Sequence, residues 1–534
     1  MTCSSKRSNP ATPHDQPPLP KHSRPESEDL ERPSIRPEYL QPTFQSNFHT
    51  ALKQGTSFKD ELTGASHAPD PFPHAQLPQL LPATFIDRLC KDIETTLTFT
   101  PRSNDLYRFR QSSDLANLPS HGSAVSVLRD TLYSEEFVQL MSSLTGLDLD
   151  ATADLSSHQY GPGDYLLCHD DDIRAQKGAR GRRVAFILYL VPETWSESDG
   201  GSLDLYTSDA QGLPDQVTKR LFPLRGSLAF FPISPGSHHE VAQVSQACRH
   251  TRLSVSGWFH GALPASQPLN PTIHLPWTWK ELELLVDEDI LTQWINKDYL
   301  KETAQKIIGE KFLEESSLSL QSFLSSRIRH EWDEGDALKE ALIHQVKWEN
   351  QGKGPANVRR HAQAYLSDLA EGNKNLLKNL MHFFHSLPCR QYLASLTGLE
   401  LGRVHSKLVS YSPGDYSLLR DDVQEPIGLD VVCWLGCAST DHLSAPEDWS
   451  EGWDGQMVYV GEAKGDEEEE EATFAGELIS LWPSISPGDV ALTYRDVGVR
   501  RFIKRVQGPW TWYALSIVYE TLWSEGEEEE DEEE

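Results

Sequence analysis

Two stretches some 250 residues apart in this 534-residue chain repeat each other, which restricts the fold to one architecture built twice. Leu144-Thr-Gly-Leu-Asp-Leu149 returns as Leu396-Thr-Gly-Leu-Glu-Leu401, an offset of 252. Gly161-Pro-Gly-Asp-Tyr-Leu-Leu-Cys-His-Asp-Asp171 returns as Ser412-Pro-Gly-Asp-Tyr-Ser-Leu-Leu-Arg-Asp-Asp422, an offset of 251. Farther on, Gly226-Ser-Leu-Ala-Phe-Phe231 and Arg252-Leu-Ser-Val255 align with Gly488-Asp-Val-Ala-Leu-Thr493 and Ala514-Leu-Ser-Ile517 at 262. Under this alignment the glycines, prolines, tyrosines and leucines that make turns and cores recur. His169, His239 and Arg252 instead face Arg420, Arg501 and Ala514, and Asp422 alone is kept for Asp171. An arginine offers no lone pair to a metal, so the first copy carries the chemistry and the second only the fold.

The pattern around the first copy predicts α+β architecture. Leu89, Ile93 and Leu97 fall four apart, as on one helix face, and a second helix is expected over 125–144. Four short runs, 183–191, 201–206, 226–231 and 252–259, are rich in β-branched and aromatic residues and separated by Gly, Pro, Ser and Asp. They predict an antiparallel barrel or jelly roll with helices outside. Helices are expected over 298–312, 319–332 and 373–384. We divide the chain into a disordered tail (1–69), a first domain (70–263), a linker and helical segment (264–372), a second domain (373–523) and an acidic disordered tail (524–534).

His169 and Asp171 leave the same face of an extended strand, because strand side chains alternate. His239, opening the alternating run His239-Glu-Val-Ala-Gln-Val244, supplies a third ligand, with His238 as the alternative. Two imidazoles and a carboxylate form the facial triad of a non-haem Fe(II) oxygenase, which leaves positions for a bidentate 2-oxo acid and dioxygen. Arg252 can pair with the far carboxylate of that acid and Tyr189 can add a phenolic hydrogen bond, although a tyrosine in an apolar strand also fits a core. Tyr160 and Tyr165 are candidate pocket residues, with the recurrence of Tyr165 as Tyr416 favouring a structural role. Trp258 and Phe259 are read as packing. The basic run Arg174–Arg183 fits either a lid over substrate or an idle surface loop.

Composition narrows the partners. A formal net charge of −32 excludes a general nucleic-acid-binding surface, which needs clustered Lys and Arg. The runs Asp466–Glu471 and Glu525–Glu534 hold 15 of the 80 acidic residues, and the remaining 65 still outnumber 48 basic ones, which suits a basic partner. Seven scattered cysteines without a CxxC indicate reduced thiols, and no apolar run is long enough for a membrane span. Lys6-Arg7 and Lys21-His-Ser-Arg24 read either as a sparse nuclear-import signal or as solvated charge.

Taken together, Tyr-Leu-Leu-Cys-His-Asp-Asp171, Arg-Arg-Val-Ala-Phe-Ile-Leu-Tyr-Leu-Val-Pro192, Gly-Gly-Ser-Leu-Asp-Leu-Tyr206 and Arg252-Leu-Ser-Val-Ser-Gly-Trp-Phe-His-Gly resemble the 2-oxoglutarate- and iron-dependent prolyl hydroxylases that modify the decoding-centre protein of the small ribosomal subunit. The resemblance covers roughly residues 70–523. It implies two tandem double-stranded β-helix (jelly-roll, cupin-like) domains with flanking helices, the second catalytically degenerate. It implies iron at His169, Asp171 and His239, and 2-oxoglutarate at Tyr189 and Arg252, with Tyr160 beside them. It further implies O2 and L-ascorbate as co-reactants and peptidyl-proline 3-hydroxylation affecting translation accuracy and termination. The implied partners are the small-subunit ribosomal protein, termination factors or messenger ribonucleoprotein, with residence in nucleus and cytoplasm and neither membrane association nor sequence-specific nucleic-acid binding. Two rivals use the same features: a nucleic-acid demethylase, disfavoured by the acidic balance, and an oxygen- or 2-oxoglutarate-sensing scaffold for translation or transcription regulators.

Overall fold

The computed structural model describes residues 32–118, 122–171, 179–264, 279–281, 289–333, 336–349, 356–369, 376–419, 427–439, 449–461 and 477–522. The import signals, both acidic runs and the counterparts Arg420 and Asp422 lie outside the described residues.

The first body is a single 13-stranded antiparallel sheet that forms two walls. One wall runs, in hydrogen-bonded order, His74–Leu77, Leu228–Pro232, Arg180–Tyr189, Arg252–Ala262 and Leu149–Tyr160; the other runs Tyr107–Ser112, Tyr165–His169, His239–Val241, Leu203–Ser208 and Pro214–Leu221. Alternation along the first wall separates two cores. Val184, Phe186, Leu188, Val255 and Phe259 face the helices Ala83–Thr96, Ala124–Leu132 and Glu135–Thr145. Ala185, Ile187 and Trp258 face the opposite way, with Leu203, Leu205 and Phe231. The odd-numbered side chains of one strand and the even-numbered ones of its neighbour therefore line the interior where a site can form.

The second body is built on a six-stranded sheet, Ser317–Leu320, Val490–Arg495, Gly428–Ser439, Trp510–Thr521, Leu401–Tyr411 and Ala362–Ala364. A five-stranded sheet, Arg359–Arg360, Tyr416–Ser417, Arg500–Ile503, Met457–Val460 and Glu477–Leu481, completes it. The repeated motif makes the same turn twice. Gly163 and Gly414 have φ of 84° and 90°, a left-handed conformation that glycine adopts without penalty. Asp164 accepts from the Gly161 amide at 2.8 Å and Asp415 from the Ser412 amide at 2.9 Å.

Several sequence expectations are corrected. Residues 32–69 are ordered: the helix Pro42–Gln54 buries Phe44 and Phe48, and Tyr39 is fully buried beside them. The expected 125–144 helix is two helices, because Ser134 caps a new start by accepting from the Phe137 amide. The expected 319–332 helix begins as the strand Ser317–Leu320, whose Leu318 and Leu320 are buried in alternation, and becomes helical only at Ser326–Asp333. With Arg359–Arg360 and Ala362–Ala364 also in the sheets, the segment read as a linker supplies three strands to the second body.

The bodies meet on the outer side of the His169 strand. Tyr165 and Leu167 pack against Tyr416 with Leu106 and Leu418. Arg108 bridges them, donating to Asp164 at 2.8 Å and to Asp454 at 2.9 Å. Among the described residues no helix is long and apolar enough to cross a membrane.

Candidate metal and cosubstrate site

Register brings the predicted ligands together. His239 is the cross-strand partner of His169, and their rings lie 4.3 Å apart between centroids. Asp171, two residues beyond His169, reaches both: its Oδ1 is 3.6 Å from His169 Nε2 and its Oδ2 3.6 Å from His239 Nε2. One ligand atom from each residue falls within 4.8 Å of the others, a spacing that one ion can share. His238 points away from this cluster, with Nε2 3.5 Å from Asp170.

The surroundings suit a cation. His169 Nδ1 lies 2.8 Å from the Leu167 carbonyl and His239 Nδ1 3.0 Å from the Ser237 carbonyl. Each carbonyl takes an N–H, which fixes the tautomer and leaves the Nε2 lone pair facing Asp171. Burial, reinforced by the neighbouring His169, brings the His239 imidazole down to about 4, so it stays a neutral donor at physiological pH. Burial raises the Asp171 carboxyl, but His239 and His169 outweigh it, with the Trp258 indole N–H and Arg182 adding to the effect, and it stays below its ordinary value.

Behind the cluster lies a buried cationic pocket. Arg252 and Tyr189 are 1% and 0% exposed. Arg252 Nε donates to the Gly201 carbonyl at 2.6 Å, and the guanidinium lies 5.2 Å from the Tyr160 ring and 5.0 Å from that of Tyr189. Arg252 Nη2 and the Tyr189 hydroxyl have no hydrogen-bond partner of ordinary geometry. Leaving such groups unsatisfied costs about 1–3 kcal/mol each, more when charged, so a ligand with a carboxylate relieves the cost. Gly201 is required here: its φ is 67°, and a Cβ would come within 2.7 Å of Arg252 Cδ. These unmet donors fit the far carboxylate of a 2-oxo acid, and the three-residue cluster fits a divalent iron.

Three residues were not foreseen. Trp258, read as packing, aims its N–H at Asp171 and carries the Arg182 guanidinium 3.7 Å above its ring. His158 lies on the strand of Tyr160, with Nδ1 2.8 Å from Ser256 Oγ, and is brought down to about 4 by burial and then by Arg252. Strand alternation from Tyr160 and from Arg252 reaches all three, because 158 shares a face with 160, and 256 and 258 share one with 252. The lid reading fails for its C-terminal part: Arg180 and Arg182 lie in the strand Arg180–Tyr189, and Arg180 pairs with Asp150. Residues 172–178 lie outside the described residues.

Comparison with known proteins agrees with this geometry. The profile of the 2OG-Fe(II) oxygenase superfamily matches residues 155–260, and that of the oxoglutarate and iron-dependent oxygenase degradation C-term matches 286–509. Prolyl 3-hydroxylase OGFOD1 of Xenopus laevis is 33% identical over 478 residues, covering 82% of this chain and 83% of the relative. The chain belongs to the OGFOD1 family of 2OG-Fe(II) oxygenases. The Mus musculus prolyl 3-hydroxylase OGFOD1 is 30% identical over 512 residues, covering 82% of this chain and 85% of the relative. A solved prolyl-4-hydroxylase from Pseudomonas putida is 23% identical, covering 35% of this chain and 91% of that one with a TM-score of 0.28. The superfamily uses Fe(II), 2-oxoglutarate and O2.

Among the described residues, three positions of this pocket carry other side chains in the second body. Tyr411 lies opposite Trp512, as Tyr160 lies opposite Arg252. The counterpart of Arg252 is therefore Trp512 and not Ala514. From His239 to Arg252 the chain advances 13 positions, and from Arg501 to Trp512 only 11, a difference that the shared Leu-Ser pair concealed. Trp512 stacks on Tyr411 at 4.4 Å and meets Trp434 edge-on at 5.5 Å. Trp434 takes the place of Tyr189, since both backbones pair with the strand that follows the turn at Gly226 or Gly488. Arg501, opposite Tyr459 as His239 is opposite Leu205, donates to buried Asp430 at 2.6 Å, and Arg495 donates to the same carboxylate at 3.0 Å.

Proposed function

We propose that this protein is a peptidyl-proline 3-dioxygenase in which His169, Asp171 and His239 hold Fe(II), and Arg252 and Tyr189 hold 2-oxoglutarate beside the Tyr160 ring. The observation that carries the reading is the coincidence, inside one pair of walls, of three ligand atoms within 4.8 Å with an unmet guanidinium nitrogen and phenol. When bound, iron, 2-oxoglutarate and O2 supply the oxidising power to turn a proline ring C–H into C–OH, with succinate and CO2 as co-products. The chain's own part is positional. The Leu167 and Ser237 carbonyls hold the imidazoles with Nε2 forward, and Trp258 steadies the carboxylate. Arg252, oriented by Gly201, pairs with the far carboxylate of the cosubstrate, and the Phe231 ring, 4.8 Å from that of His239, helps exclude water.

For the substrate, the resemblance in sequence supports a proline of the small-subunit decoding-centre ribosomal protein, a basic partner suited to an acidic chain, with L-ascorbate sustaining turnover. A role in translation accuracy and termination in nucleus and cytoplasm follows from that substrate. We read both bodies as double-stranded β-helices, the second without iron ligands; the Trp512 plug and the Asp430 ion pairs support this, and such a body suits a scaffold for translation or transcription regulators.

Incubation with Fe(II), 2-oxoglutarate and a decoding-centre peptide tests the activity. The expected outcome is succinate release together with a gain of one oxygen on proline by mass spectrometry, both abolished by His169→Ala. Succinate without peptide oxidation would discard the substrate, and absence of both, with iron and cosubstrate bound, would leave the scaffold.

A further inference from the structure

The inner face of the first wall carries a histidine that neither the metal cluster nor the acid end of the cosubstrate pocket uses. Its strand, Leu149–Tyr160, is paired on one side with Arg252–Ala262 and on the other with Tyr107–Ser112, so a side chain on it is exposed only through a face of the sheet. Leu155 goes to the core on the helix side. His158, of opposite parity, points inward with Tyr160, and part of its surface is accessible. That surface therefore borders open space between the walls.

Register gives that space a length. Arg252 lies opposite Tyr160, Ser254 opposite His158, Ser256 opposite Ser156 and Trp258 opposite Asp154. Arg252 marks the end that takes a far carboxylate, and Trp258 the end that reaches Asp171. At the level between, Ser254 is flanked by Tyr189 on one neighbouring strand and His158 on the other. Tyr189 turns to Arg252, whereas His158 leans toward the metal end, with Nδ1 2.8 Å from Ser256 Oγ. Its Nε2 lies 3.4 Å from Ser156 Oγ, which accepts from Gln111 Nε2 at 3.1 Å, and Phe109 meets the ring edge-on at 5.3 Å. The imidazole is neutral, through burial and then Arg252, and both nitrogens are engaged, so it offers a ligand bulk and ring carbons rather than charge.

We propose that His158 is a spacer that sets the length of the 2-oxo diacid accepted between the metal cluster and Arg252. The inference rests on the cosubstrate reading given above and adds the residue that makes that pocket selective. A diacid held at both ends passes the level of His158. If it is one methylene longer than 2-oxoglutarate it has to bow sideways, and the imidazole fills the space into which it would bow. The serines on either side of the ring, Ser156 and Ser256, are too small to fill it and instead hold the ring in place.

The test is titration calorimetry of the full chain loaded with Fe(II) under nitrogen, where no turnover occurs, with 2-oxoglutarate and 2-oxoadipate as ligands. Wild type is expected to prefer 2-oxoglutarate by about tenfold or more, as one methylene commands in a close-fitting pocket. His158→Ala is expected to cut that preference about tenfold, and His158→Phe, which keeps a ring without the nitrogens, to retain it. Equal affinities in wild type, an unchanged preference in His158→Ala, or a loss in His158→Phe as large as in His158→Ala overturns the spacer. Should wild type bind iron but not 2-oxoglutarate, the cosubstrate reading falls and takes the spacer with it, whereas binding with an unaltered ratio removes the spacer alone. If His158→Ala loses its cooperative melting, His158→Asn, also smaller than the imidazole, decides by the same ratio.

Discussion

Tyr189 and Arg252 differ from ordinary core residues in one respect: the Tyr189 hydroxyl and Arg252 Nη2 are buried against each other's side chains without a hydrogen bond of ordinary geometry. A buried hydroxyl without a well-formed hydrogen bond contributes little to the unliganded fold, so Tyr189→Phe is expected to leave melting nearly unchanged. The same substitution should raise the KM for 2-oxoglutarate roughly tenfold, the worth of one hydrogen bond to a charged group. A fall in stability beyond about 1 kcal/mol would assign the hydroxyl a structural task instead. The inward placement of these two residues was legible in the sequence because a polar group in an apolar alternating strand has few uses. His158 and Trp258 were not: a lone histidine and a tryptophan among apolar neighbours look like core until the facing strand is known, and that pairing joins residues 98 apart, as with His158 and Ser256.

The repeated Pro-Gly-Asp-Tyr turn was read correctly as structural, and it carries a titrating group. Burial brings the Asp415 carboxyl up to about 6, against the pull of the Ser412 amide and Arg360. A carboxyl raised above its unfolded value takes up a proton more readily when folded. Its favourable contribution is therefore complete below about pH 4 and is lost as pH rises through about 6, a change on the order of 3 kcal/mol. Melting curves should show wild type and Asp415→Asn equally stable near pH 4 and the variant more stable at pH 7. A constant difference across that range would show that Asp415 titrates normally. Element boundaries were less legible than this turn. The ordered segment 32–69 sits in a proline-rich, polar context, and its three buried aromatics, Tyr39, Phe44 and Phe48, are held by sheet and helices distant in sequence. Such anchoring leaves no local periodicity to read.

At the level of the molecule, the seam between the bodies was not visible in the sequence, because Arg108 and Asp454 lie 346 residues apart. The seam matters to the site, since Tyr165 and Leu167, which pack across it, belong to the strand that ends in His169. Arg108 there serves Asp164 and Asp454, whose side chains are only 16% and 14% exposed. Arg108→Met removes the cation that both carboxylates share, leaving them only the Gly161 amide and the Gln507 side chain, and should destabilise the chain by on the order of 3 kcal/mol. Calorimetry should then resolve one transition into two, with weaker Fe(II) binding. An unaltered single transition would show that the other contacts across the seam, among them Arg505 donating to Gln243 at 2.6 Å and the Leu419 amide donating to Asp105 at 2.9 Å, join the bodies without Arg108.

Trp512 and Arg501 also bear on what substitution in the second body can achieve. Placing an arginine at 512 alone would bury a cation among Tyr411 and Trp434, and placing a histidine at 501 alone would remove one of the cations that compensate Asp430. Each such variant loses roughly 3–5 kcal/mol, a large part of the 5–15 kcal/mol that keeps an ordinary domain folded. Single substitutions toward the residues of the first body are therefore costly, and the stacked Trp512 with the paired Asp430 latches the second body into the arrangement it has.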